Sequence, residues 1–196
     1  MADLTFLDFE DLLTQAISDD AAVREIHRRH GTQGTVLVVD FTGMARRTDS
    51  FGIVRALAMA RAAERAMRLG GVQVKRVADT LFHLYDTPLA ALNDALLAHQ
   101  RLATFNAEKP DPIRACIGLG VGDLLVIPGQ DIFGTEVNRA FILGEDVAKG
   151  GETLATPAFL AALGNLPDGI GAFRAPEDRE TDAGFAFHVL ADYRGG

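Results

Sequence analysis

With 196 residues, 48% of them hydrophobic and 23% charged, the chain has room for one domain with a full core and is too apolar to be disordered. Its formal net charge of -8 argues against broad binding to nucleic acid or to an anionic membrane surface, and no apolar run approaches the roughly 18 residues of a membrane span. The acidic start MADLTFLDFEDLL lacks the basic segment of a signal peptide, and the single cysteine, Cys116, excludes an internal disulfide and a cysteine-based zinc site; both features point to the cytoplasm.

In chain order, residues 4–17 and 20–30 read as amphipathic helices, with Ser18, Asp19 and Asp20 as candidate N-caps for the second. The run His27-Arg28-Arg29-His30 suits a solvated last turn whose cations complement the helix dipole. After a GTQG turn, TVLVVDF at 35–41 is the short β-branched run of a buried strand, ending at the carboxylate Asp40. Residues 50–69 repeat apolar side chains at helical spacing and stop at Gly70-Gly71. VQVKRV (72–77) and TLFHLY (80–85) are two strands joined by Ala78-Asp79, and His83, like His188 further on, reads as a surface or edge histidine. A helix over 87–105 opens with Thr87 as N-cap and Pro88 at its first position.

IRACIGLGV (113–121) and LLVI (124–127) are expected to form a hairpin around Gly122-Asp123, with Cys116 as a small core residue. GLGVGD lacks the Lys-Ser/Thr of a phosphate loop. A helix over 135–150, a strand at 152–156, a helix at 157–164 and strands at 170–175 and 184–190 complete the reading. The order implies an α+β fold with a βαββαβ core, an antiparallel-rich sheet and helices on one face.

In such a sheet the hairpin can lie beside the first strand, which brings Asp79 towards Asp40. Two carboxylates so placed repel unless a proton or cation lies between them. Oxygen donors without nearby Cys or His favour Mg²⁺ or Mn²⁺, ions that arrive with nucleotide phosphates. The alternative is that both are ordinary strand-end and turn residues.

Several short motifs, in order, carry a resemblance: VVDFTG, KRVAD, IRACIGLGVG and DIFGTEVNRA. Over roughly residues 35–190 the chain resembles the class III adenylate/guanylate cyclase catalytic domain. The resemblance implies a ferredoxin-like βαββαβ core with an extra C-terminal helix and strands at 33–192, behind a helical extension at 1–32. It implies that Asp40, Asp79 and the backbone carbonyl of Phe41 bind two Mg²⁺ or Mn²⁺ ions. Lys75 and Asp131 match the base-reading positions, in a pairing similar to that of adenine-specific members. Asn138 matches the ribose-positioning residue and Arg114 an arginine facing the triphosphate. The implied activity is conversion of ATP to 3',5'-cyclic AMP and pyrophosphate, in signal transduction, by a head-to-tail homodimer without nucleic acid or membrane as partner.

The resemblance is incomplete. Four residues after Asn138 the family carries a transition-state arginine; here that position is Ile142. The family's C-terminal lysine is also absent, since the last lysine is Lys149. Ala78 stands where a glycine is usual. Arg139, Arg174, Arg179 and Arg194 are candidate substitutes, and a heterodimer with another cyclase-like chain would supply both cations. A degenerate cyclase-fold module that binds nucleotide or a protein partner without turnover is the alternative to an enzyme.

Overall fold

The computed structural model describes residues 3–127 and 130–193. Helices α1 (Asp3–Ala16) and α2 (Asp20–His30) precede strand β1 (Gly31–Phe41), and Asp19 caps α2 by accepting from the Ala21 amide at 2.7 Å. The helix expected over 50–69 is α4 (Ile53–Met67); an unanticipated helix, α3 (Met44–Phe51), precedes it, and Gly52 at φ 82° breaks the ladder between them. Strands β2 (Val72–Val77) and β3 (Thr80–Tyr85) fall where the alternation places them, and α5 (Pro88–Asn106) opens with Thr87 accepting from the Ala90 amide.

The chain continues through β4 (Ala115–Ile127), β5 (Asp131–Phe133) and α6 (Thr135–Ile142), which runs into a π-helical turn at Leu143–Val147. Then come β6 (Thr153–Ala155), α7 (Pro157–Leu163), β7 (Ile170–Arg174), α8 (Glu177–Ala183) and β8 (His188–Asp192). The sheet runs β2-β3-β1-β4-β6-β8-β7, with β5 on the outer part of β4; the β4–β6 pair is parallel and the others antiparallel. The βαββαβ core is therefore present, extended by the C-terminal elements.

The expected hairpin at Gly122-Asp123 does not form. Those residues pair with Gly34 and Gln33 inside one antiparallel ladder that runs from Gly31 opposite Leu125 to Phe41 opposite Ala115. GTQG is likewise strand, so two apparent turns face each other across the ladder. The glycines of β4 serve close packing instead: a Cβ at Gly118 would sit 2.0 Å from the Ala140 carbonyl oxygen, and one at Gly120 2.6 Å from that of Glu136. That groove seats α6 on the sheet face opposite α4 and α5, so the helices occupy both faces.

The main core lies between the sheet and α4, α5 and α7, where Ala60, Ala63, Ala91 and Ala95 let the helices approach Leu37, Leu81, Ile117 and Leu119. On the other face Val36, Val38 and Phe82 pack against Val137 and Ala140 of α6. A third cluster, Leu143, Leu154, Ala175, Ala183 and Phe187, sits beneath α8. His83 is buried at 6% exposure, with Nδ1 bonded to the Gly71 carbonyl, rather than at the surface, because β2 and α4 cover that part of β3. Among the described residues no helix is long and apolar enough to cross a membrane.

Candidate active site

Asp40 is the next-to-last residue of β1, opposite Cys116 of β4 on one side and next to Thr80, which opens β3, on the other. Asp79 stands in the β2–β3 turn, where Ala78 takes φ 52°, the left-handed conformation that a glycine would adopt freely. A third carboxylate, missed from sequence, joins them. Glu145 of the π-turn accepts from the Thr80 hydroxyl at 2.5 Å, and that hydroxyl lies 3.4 Å from Asp40 Oδ1. Burial, then repulsion from Glu145 and Asp79, pushes the Asp40 carboxyl up to about 7, against the pull of hydrogen bonds from the Phe41 amide and Thr80. Burial and the neighbouring Asp40 likewise push the Cys116 thiol up to about 12, which leaves it an inert core residue.

Among the described residues no three His, Cys, Asp or Glu side chains are gathered tightly enough to enclose a metal ion. The donors instead form an open set of oxygens that repel one another. Such a set suits Mg²⁺ or Mn²⁺, hard ions that complete their coordination with water and phosphate oxygens. The loop beyond Phe41 is held by the fully buried Arg47, which donates to the carbonyls of Thr42 at 2.5 Å and Pro112 at 2.9 Å and pairs with Asp111 at 3.1 Å. The Thr42 amide donates to the Arg114 carbonyl at 3.0 Å, and the Arg114 amide donates to the Thr42 hydroxyl at 3.3 Å across the same point. Arg114 is exposed, makes no ion pair with the carboxylates, and borders a cavity of about 320 Å³ shared with Asn106 and Gly150.

Lys75 and Asp131 meet as an ion pair, Nζ to Oδ1 2.7 Å, joining β2 to β5. The ladder between β2 and β3 slips between Gln73 and Lys75, and such a bulge re-aims the following side chain. Lys75 Nζ then stands 5.7 Å from the Phe82 ring centre. Asn138 is exposed on α6, two residues after Glu136, which is buried and accepts from Thr156 at 2.5 Å.

The substitute cations are occupied. Arg139 pairs with Glu136 at 2.7 Å and lies against Phe185; Arg174 pairs with Glu180 at 2.8 Å; Arg179 pairs with Glu152 at 2.8 Å and donates to the Val147 carbonyl. Arg194 lies outside the described residues. Ile142 packs into the apolar cluster of Leu143 and Phe187.

No protein-family model matches the chain, and no curated protein matches its sequence. Solved structures do. An adenylate/guanylate cyclase/hydrolase from Silicibacter pomeroyi superposes with TM-score 0.65 at 22% identity, over 85% of this chain and 99% of that one. The adenylyl cyclase CyaB from P. aeruginosa gives TM-score 0.64 at 16% identity, over 84% and 97%. The catalytic core of a rhodopsin-guanylyl cyclase with converted specificity, in complex with ATPαS, gives 0.62 at 17%, over 84% and 99%. The chain has the class III nucleotidyl cyclase catalytic fold. Within that cyclase fold, one chain carries both an acidic cluster around Asp40 and a Lys75–Asp131 pair on the β2–β5 side.

Proposed function

We propose that the chain is a nucleotidyl cyclase domain that binds ATP with Mg²⁺ or Mn²⁺ and forms 3',5'-cyclic AMP in a head-to-tail homodimer. The observation that carries this reading is the coexistence of clustered carboxylates at the end of β1 with a Lys–Asp pair whose donor and acceptor suit the ring nitrogen and amino group of adenine. Asp40, Asp79 and the Phe41 carbonyl would hold the metal ions, which when bound lower the pKa of a hydroxyl and neutralise phosphate charge. Lys75 and Asp131 orient the base, and to do so they exchange their mutual ion pair for base contacts. Asn138 positions the ribose from α6, and Arg114 meets the triphosphate. Arg47 ties the segment after Phe41 to Pro112 and Asp111 through the Thr42 carbonyl, which would fix the Phe41 carbonyl for a metal ion.

A specific observation favours a second reading, a nucleotide-binding regulatory module without turnover. Ile142 is packed in an apolar cluster, and Arg139, Arg174 and Arg179 are each paired to a glutamate. Loss of a transition-state arginine costs roughly 10³ to 10⁵ in rate, so the cyclase reading entails slow turnover. Incubation with ATP, GTP, CTP and UTP in Mg²⁺ and in Mn²⁺, read by mass spectrometry beside Asp79→Ala, decides between them. A cyclic product absent from the variant supports the enzyme; metal-dependent binding of ATP without product supports the module.

A further inference from the structure

We infer that Thr80 and Glu145 are positioning residues for Asp40, and that together they tighten the binding of a divalent cation at the end of β1. The inference rests on the reading of Asp40 as a metal-binding carboxylate and extends it to two side chains outside the family's motifs.

The geometry begins with the helix. In an uninterrupted α-helix, residues i, i+4 and i+7 share one face, so Asn138, Ile142 and Glu145 would line up. Here the α-helix ends at Ile142 and the next turn is π, which sets each following residue back around the axis. Ile142 goes into the apolar cluster, while Glu145 reaches Thr80. Gly144 makes this possible: a Cβ there would come within 3.1 Å of the Val38 carbonyl oxygen and 3.2 Å of the Gly118 amide nitrogen, so the turn rests directly on β1 two residues before Asp40.

The hydroxyl of Thr80, buried at 3% exposure, has one proton and two carboxylates beside it. The proton goes to Glu145 at 2.5 Å, and Asp40 at 3.4 Å receives little of it. The weak residual share of that proton keeps Asp40 Oδ1 beside Thr80 while leaving most of its charge available to a cation, and the Glu145 carboxylate adds negative potential. Groups that orient a metal-binding carboxylate in this way typically contribute about 10- to 100-fold in metal affinity.

The test is the affinity of the full chain for Mn²⁺, followed by electron paramagnetic resonance of the free ion, with thermal melts on every variant. Glu145→Gln keeps an acceptor for Thr80 but removes the charge; Thr80→Val removes the bond and keeps the charge. Each is expected to weaken Mn²⁺ binding on the order of 10-fold while remaining folded, and Thr80→Ser is expected to restore it. A merely structural role would move the melting temperature and leave the affinity unchanged. Asp40→Asn separates the two levels. If Asp40→Asn abolishes binding while Glu145→Gln and Thr80→Val do not weaken it, the positioning role is wrong and the metal reading stands. If Asp40→Asn leaves the affinity unchanged, or the unaltered chain binds no Mn²⁺, the metal reading falls and the positioning role with it.

Discussion

In the metal-free protein, Asp40→Asn is expected to raise stability at pH 8 and to raise it less at pH 5. The Asp40 carboxyl moves from 3.8 to about 7 on folding, chiefly through burial and then through Glu145 and Asp79. The folded state therefore binds its proton more tightly than the unfolded state, and stability falls as pH climbs from about 4 to about 7. At about 1.4 kcal/mol per pKa step the full displacement corresponds to roughly 4 kcal/mol. Because the side chain keeps part of its hydration, about half of that, roughly 2 kcal/mol, is the expected cost at pH 8. At pH 5 the folded carboxyl is protonated and more than half of that cost is relieved. An amide of the same shape bears no charge at either pH. Urea unfolding in EDTA at both pH values, on wild type and variant, reads the effect directly. A gain of the same size at pH 5 and pH 8, or no gain at pH 8, would refute the electrostatic account.

Three further expectations concern the frame around the site. Ala78→Gly should stabilise by about 0.5 kcal/mol, since relief of the left-handed strain outweighs the added freedom of the unfolded chain; urea midpoints check it. Gly118→Ala should destabilise by about 3 kcal/mol, because its Cβ would meet the Ala140 carbonyl at 2.0 Å and α6 must lift. Calorimetry should then show a midpoint lowered by roughly 6–12 °C. Arg47→Met should cost about 3 kcal/mol, by leaving the Thr42 and Pro112 carbonyls without their donor, while Asp111 keeps its pair with Arg46. A denaturation midpoint equal to that of wild type would show that the clamp contributes nothing.

The features legible in the sequence are those encoded locally. Thr87 before Pro88, Asp19 before an amphipathic run and the alternation on either side of Ala78-Asp79 each specify their own boundary, and the structure places caps and strands there. The misread turns at GTQG and Gly122-Asp123 failed for a tertiary reason: β1 and β4 supply each other with a continuous ladder, which outweighs the turn preference of either segment. Gly122 looked like turn chemistry and, with Gly118 and Gly120, lines the part of β4 on which α6 rests. His83 was read from its alternation alone, which does not reveal that a helix covers that face.

The candidate residues divide in the same way. The approach of Asp79 to Asp40 followed from strand order and hairpin position, while Lys75 and Asp131 were singled out by resemblance alone; the structure pairs them with each other. Glu145 was not reached, although its spacing of seven from Asn138 was a usable signal. Which residue faces Thr80 depends on the π-turn, and the turn depends on how closely Gly144 rests against β1.

The packing of Ile142 also bears on what its position could accept. The side chain packs against the cluster that holds Leu143 and Phe187. A guanidinium introduced there would need either several kcal/mol of desolvation or the unpacking of α8. A cation is more easily added to this face from a second polypeptide or from a different corner of the fold than from position 142.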